Sequence, residues 1–255
     1  MLALACALSV PMSASAYVLG PTTPGKWGPA AMGTGATVSW SLMPTGTHCD
    51  ADYTGCVITS LADFMPVGYM NAITSAFAAW SAVADITFVK VADDGAAYNA
   101  TTASGDIRLG GQTIDGAFNA LAFGNLPPDN GNSAAGDIHF DTAEAWKLGF
   151  GGSGFDLFQV LAHELGHAIG LDHSVTDPLV GPSLMDAYYS ETTRGLQADD
   201  IAGARFLYGP ATAQAQAQAQ EAQVPEAQVP EPGTVTLLGL ALAGLVLSRR
   251  RAAAK

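Results

Sequence analysis

Three histidines and one glutamate are set in a single run, His163-Glu164-Leu165-Gly166-His167-Ala168-Ile169-Gly170-Leu171-Asp172-His173. On a helix His163 and His167 stand one turn apart on one face, so both imidazoles reach the same ion while Glu164 stays free of it. His173 lies too far along to share a straight helix. Gly170, which tolerates the positive φ that ends helices, lets the chain bend back and deliver it. Three neutral imidazoles with a fourth position open make the donor set of a catalytic zinc, which lowers the pKa of a bound water toward 7. Glu164 can take that proton and pass it to a leaving amine, which is the chemistry of amide hydrolysis. The chain has five histidines, and three fall here in register with a Glu and a Gly, so chance accounts poorly for the pattern.

The run resembles the active-site motif of the metzincin zinc proteases, and Ser174 directly after His173 is similar to the matrixin, or matrix-metalloproteinase-like, type. Downstream, Ser183-Leu184-Met185-Asp186-Ala187-Tyr188-Tyr189 resembles the clan's methionine turn. The resemblance implies that Met185 supports the metal site from below without binding it, and that Tyr189 lines the S1′ pocket, which receives the side chain following the scissile bond. Residues 119–123 match the edge strand that bounds the cleft, placing Leu121 and Ala122 beside an extended substrate held by backbone pairing.

The same resemblance implies calcium. Residues 136–146 match the segment that carries structural metal ligands, and Ile114-Asp115-Gly116 matches the loop that closes a calcium site. Asp115, Asp141 and Glu144 would supply carboxylates, with loop carbonyls completing the oxygen shell of about six to eight ligands that calcium prefers. A second and weaker calcium site would use Asp106 and Asp137. The family's structural zinc finds no equivalent donor set. His139 matches one ligand, Phe123 stands where another histidine belongs, and Gly110-Gly111-Gln112 replaces the expected His-x-Asp. His139 is then an ordinary semi-buried residue, and His48 a surface one.

The elements that must position these groups are read from periodicity. Residues 69–83 carry Ala76, Phe77, Ala79 and Trp80 at helical spacing, and 154–169 forms the active-site helix with Asp156 as N-cap. Short strands fit 37–42, 86–91, 106–109, 120–124 and 137–141. Residues 196–209 resemble the matrixin C-terminal helix. A twisted mixed sheet packed on helices follows, an α+β domain of metzincin type spanning 17–210.

Both ends are processing segments. Leu2 to Val10 is apolar and leads to Ala14-Ser15-Ala16, a signal-peptidase pattern that makes 1–16 a signal peptide, although the basic start of such a leader is missing. Residues 211–228 form an Ala/Gln/Pro linker. In 229–255, Val229-Pro230-Glu231-Pro232 precedes an apolar stretch, 234–247, and Arg249-Arg250-Arg251. That stretch spans about 21 Å as a helix, a short membrane-spanning segment whose arginines stay on the cytoplasmic side. The tail resembles the PEP-CTERM sorting signal of Gram-negative bacteria, which implies processing by an exosortase after transient anchoring in the inner membrane. An ordinary membrane anchor is the other reading of it. Either way the domain lies outside the cytoplasm, at the cell surface or in the extracellular matrix. There Cys49 and Cys56 are expected to close a disulfide, two free thiols being the alternative. Residues 17–210 carry six basic against twenty acidic residues, a net of −14, which disfavours nucleic acid and anionic membrane as partners.

These features together predict an exported zinc metalloendopeptidase (EC 3.4.24 type) with protein or peptide substrates. The rival is a catalytically silent, calcium-binding surface or matrix protein on the same fold, and an intact Glu164 beside three intact ligands argues against it.

Overall fold

The computed structural model describes residues 17–49, 55–100, 102–127, 134–174, 181–213, 216–217 and 219–220. The chain divides into two units, Met1–Gln223 and Val224–Lys255, and the second lies outside the described residues.

The chain enters as a two-residue strand, β1 (Val18–Leu19), and then forms β2 (Ala36–Leu42), where Val38 and Trp40 turn inward at period two. An antiparallel bridge between His48 and Val57 beside the Cys49–Cys56 disulfide follows, then a single turn, α1 (Leu61–Phe64), and α2 (Tyr69–Ser81). Ile73, Ala76, Phe77 and Trp80 of α2 fall on one face and are buried. β3 (Ile86–Lys90), β4 (Ile107–Gln112), β5 (Ala122–Gly124) and β6 (Ile138–Asp141) complete a five-stranded sheet of order β3-β2-β4-β6-β5. All pairs are parallel except β5, which runs antiparallel to β6 at the edge.

A small ribbon of β7 (Trp146–Lys147) and β8 (Phe155–Asp156) leads into the active-site helix, α3 (Leu157–Ala168). Next come β9 (Leu171–Asp172), paired with β1, and the closing helix α4 (Ala198–Tyr208). α2 and α3 pack side by side against the sheet, and the Trp80 indole N–H donates to the Ala162 carbonyl at 3.0 Å in the middle of that contact. Trp40 stacks on Phe77 at 4.5 Å between ring centroids, joining sheet to helix. The core thus holds α3 by one face and leaves its other face to the cleft.

Several expectations need correction. The active-site helix begins at Leu157 rather than 154, because Phe155 and Asp156 pair with β7 instead. Asp156 precedes the helix but does not cap it: its carboxylate accepts from the Gly149 N–H and from Arg194 Nε. β5 starts at Ala122, since Phe118 to Leu121 bend around the neighbouring acidic loop. His139 is fully buried rather than half-buried, its ring 4.9 Å from that of Phe123. No helix among the described residues is long and apolar enough to cross a membrane, and the leader 1–16 and the segment 234–247 lie outside those residues.

Candidate active site

α3 places His163 and His167 one turn apart at its C-terminal half. The helix stops at Gly170, whose φ of +111° turns the chain back; β1 then holds the returning strand through Leu19 opposite Leu171 and Val18 opposite Asp172. His173 follows at once. Its Nε2 lies 3.2 Å from Nε2 of His163 and 3.2 Å from Nε2 of His167. Three nitrogens bound to one zinc at about 2.1 Å in tetrahedral array lie about 3.4 Å apart, so the donor set fits this ion.

The ring orientations are fixed from behind. His163 Nδ1 is 2.7 Å from the Leu184 carbonyl and His167 Nδ1 is 2.9 Å from the Leu171 carbonyl. A carbonyl only accepts, so Nδ1 carries the proton on both rings and the Nε2 lone pairs point at the shared space. Burial reinforces this by disfavouring the charged imidazolium: the pKa of His163 falls to about 4, with His167 as a further cause, and that of His167 is lowered as well. Neutral imidazole is the form that binds a metal. Among the described residues, this triad is the one group of three or more His, Cys, Asp or Glu donors within 4.8 Å of one another.

Glu164 faces the edge strand. Its carboxyl is buried, which raises its pKa to about 8, and the Gly124 N–H donates to it and offsets part of that rise. Any side chain at Gly124 would press on Glu164, carbonyl and carboxylate alike. The residue that positions Glu164 therefore comes from β5, and no local pattern in the sequence pointed to it.

Beneath the histidines Met185 is 1% exposed, and its sulfur lies so close to Gly166 that a methyl group there would overlap it. The turn that carries it is anchored by Asp200 of α4, which accepts from Ser183 Oγ at 2.5 Å, Leu184 N at 2.8 Å, Met185 N at 3.1 Å and Gln197 N at 2.7 Å. Ser174 N–H donates to the Met185 carbonyl at 2.9 Å, tying the strand after His173 to the same turn. Asp200 was legible only as part of a helix; its side-chain role depends on tertiary packing.

A cleft of about 930 Å³ opens onto His163, Glu164 and His173. One lip runs from Phe118 through Leu121 and Ala122, and the other from Leu184 through Tyr189 to Thr193. Tyr189 lies edge-on to Phe155 at 5.1 Å, and its hydroxyl accepts from the Asp156 N–H and donates to Glu191. Glu191 also takes Lys147 Nζ at 2.6 Å and the Gly151 N–H at 2.7 Å. Gln159 fastens the end of this lip by accepting from Gly195 N and donating to the Thr193 carbonyl. Glu191, Lys147 and Gln159 escaped sequence reading because their partners are separated from them by loops.

The acidic residues divide into two cases. Asp141 accepts from the Asp115, Gly116 and Ala143 N–H groups, Asp115 from Ala120 N–H, and Glu144 Oε1 from Phe118 N–H. The three carboxylates ring one loop, and Glu144 Oε2 is buried without a hydrogen-bond partner, an open acceptor of the kind a hard cation takes. Asp106 and Asp137 directly precede β4 and β6 and also accept hydrogen bonds. Asp106 accepts from Ser39 N and Oγ, and Asp137 from the Arg108 N–H. The Arg108–Asp93 ion pair, 2.7 Å and buried, stands beside Asp137. The donor set of a structural zinc does not fit: Gly110 and Gly111 bear no side chain, and Ile58 and Phe64 occupy the space beside them.

The sheet with its antiparallel edge strand, the convergent histidines and the methionine beneath them form a candidate metal centre at the floor of an open cleft. The chain belongs to the matrixin family, whose profile covers residues 53–209. A PEP-CTERM protein-sorting motif matches residues 228–251. Among curated proteins, the chain is 39% identical over 147 residues to karilysin of Tannerella forsythia, covering 54% of this chain and 28% of that protein. It is 38% identical over 142 residues to matrix metalloproteinase-20 of Homo sapiens and 38% over 140 residues to interstitial collagenase of Oryctolagus cuniculus, in both cases covering 55% of this chain and 28% of the relative. The chain thus spans little more than a quarter of the length of these relatives.

Proposed function

We propose that the protein is an exported endopeptidase that cleaves extracellular proteins or peptides at the His163–His167–His173 centre. The observation that carries this reading is the convergence of three neutral imidazoles beside a buried Glu164 at the floor of an open cleft. The Nε2 atoms of His163, His167 and His173 would hold zinc, which would supply Lewis acidity for attack of a water on the scissile carbonyl. Glu164 removes the proton from that water and returns it to the leaving amine, and Gly124 N–H orients the carboxylate for both transfers. The substrate backbone lies along the open edge of β5 beside Leu121 and Ala122, with the side chain after the scissile bond in the pocket walled by Val160, Leu184 and Tyr189. Asp115, Asp141 and Glu144 hold a structural calcium.

The sorting motif supports export in a Gram-negative bacterium and processing by an exosortase, and on this reading the protein acts at the surface or in the surrounding matrix. The test is cleavage of a quenched-fluorescent peptide library by wild type and by Glu164→Gln, both verified as folded and zinc-loaded. Loss of the general base should lower kcat by about 10²- to 10⁴-fold. A zinc-loaded wild type that cuts nothing would favour a silent binding protein.

A further inference from the structure

Two aromatic rings stand in solvent on facing lips of the same cleft. Phe118 is 81% exposed and Tyr188 84%, and both line the cavity above the histidines. A single exposed aromatic is unremarkable on a protein surface, but Phe118 carries a second cost. Its φ is +76°, and among the described residues the only other non-glycine residue with positive φ is Asn99. Asparagine tolerates that region by local hydrogen bonding, whereas a bulky aromatic is strained there. The loop itself demands the conformation, because Phe118 N–H must reach Glu144 while Ala120 N–H reaches Asp115. Glycine would meet that demand without strain, so the backbone alone does not explain a phenylalanine.

The position of the ring does explain it. Phe118 lies edge-on to Phe155 at 6.5 Å, and Phe155 lies edge-on to Tyr189 at 5.1 Å. This file of rings runs from the lip that carries Phe118 to Tyr189, which walls the S1′ pocket of the protease reading, so on that reading Phe118 stands beside the residues that follow P1′. Tyr188 adjoins Tyr189 on the opposite lip. An extended substrate advancing about 3.3 Å per residue would carry the two residues after P1′ between Phe118 and Tyr188.

We propose that Phe118 and Tyr188 form an aromatic clamp selecting substrates with a large aliphatic or aromatic side chain at P2′ or P3′, a proposal that rests on the protease reading above. The strain at Phe118 is retained because the ring meets substrate. Apolar side chains entering between the lips bury both rings, and aromatic ones add edge-to-face contacts.

The test uses two quenched peptides identical through P1′, one with Phe at P2′ and P3′ and one with Ala. Wild type, Phe118→Gly and Tyr188→Ala are compared by kcat/KM, and the same substitutions in a Glu164→Gln background by peptide Kd. Wild type should favour the Phe peptide by about tenfold or more, through KM and Kd, and each variant should bring that ratio toward one. Phe118→Gly should also melt at or above the wild-type temperature, which a merely structural phenylalanine would not allow. If neither peptide is cut but the inactive protein still prefers the Phe peptide, the protease reading fails and the clamp stands. A wild-type ratio near one, or a ratio that survives both substitutions, overturns the clamp.

Discussion

Glu164 must be ionised to act as a base, yet its burial holds the proton on until about pH 8 in the absence of a cation. A divalent ion held at the adjacent triad would favour the carboxylate, and base and metal site would then depend on each other. This has a signature in the metal-free protein. Glu164 has a folded pKa of about 8 against an ordinary 4.5, so the stability it contributes is complete below pH 4.5 and is lost as pH rises toward 8. His163 has the opposite sign: its folded pKa of about 4 lies below the ordinary 6.5, so its contribution is present above pH 6.5 and lost as pH falls toward 4. The two oppose each other between 4.5 and 6.5, and above that window Glu164 no longer has His163 against it. Thermal melts of the chelated protein should therefore show Tm falling from pH 6.5 to 8, and Glu164→Gln should abolish that fall. An equal slope in both proteins would show that another group is titrating. The histidines and Glu164 were legible in the sequence because helical spacing alone fixes their relation; the Gly124 N–H that tunes Glu164 comes from a separate strand and was not.

At the scale of elements, α4 reaches the metal site through one carboxylate. Asp200 fixes the methionine turn, and the Leu184 carbonyl of that turn fixes the tautomer of His163. Asp200→Ala leaves the Leu184 and Gln197 N–H groups and the Ser183 hydroxyl without their acceptor, Met185 N–H keeping Ser183 Oγ, at a cost of about 3–5 kcal/mol if the turn stays buried. It should also weaken zinc binding by about 10- to 100-fold, as losses behind a ligand do. Urea unfolding and competition with a chromophoric chelator measure the two effects, and unchanged zinc affinity would reduce α4 to scaffold. Elements with long periodic patterns, α2 and α3 above all, were readable within a few residues at their ends. The ribbons β1–β9 and β7–β8 were not, because two-residue strands carry no period and exist only through their partners. Asp156 shows the same limit. Its place before a helix suggested a cap, and only the fold reveals that the Gly149 N–H and Arg194 claim it.

For the whole molecule, charge is the governing feature. All six cations of residues 17–210 are engaged within the domain. Arg108, Lys147 and Arg194 pair with acids, Lys26 and Arg205 donate to carbonyls, and Lys90 lies over Trp40. The buried Oε2 of Glu144 has no hydrogen-bond partner, an acceptor suited to an outside cation. Millimolar calcium should raise the Tm of the zinc-loaded protein by about 3–5 °C, and Glu144→Gln should remove most of that rise. Differential scanning fluorimetry reads both, and a calcium response unaffected by the substitution would place the ion elsewhere. The acidic balance was plain from composition, whereas the hydrogen bonds that Asp106 takes from Ser39 and Asp137 from Arg108 depend on strands brought together by the fold.

The most direct measurement is to titrate the metal-free protein with zinc in excess calcium while following cleavage of a quenched peptide. Activity should rise in proportion to zinc and break at one equivalent per chain, since the triad is the one convergent donor set among the described residues. Activity before zinc is added, or none after one equivalent has demonstrably bound, would contradict a hydrolytic zinc centre at His163, His167 and His173.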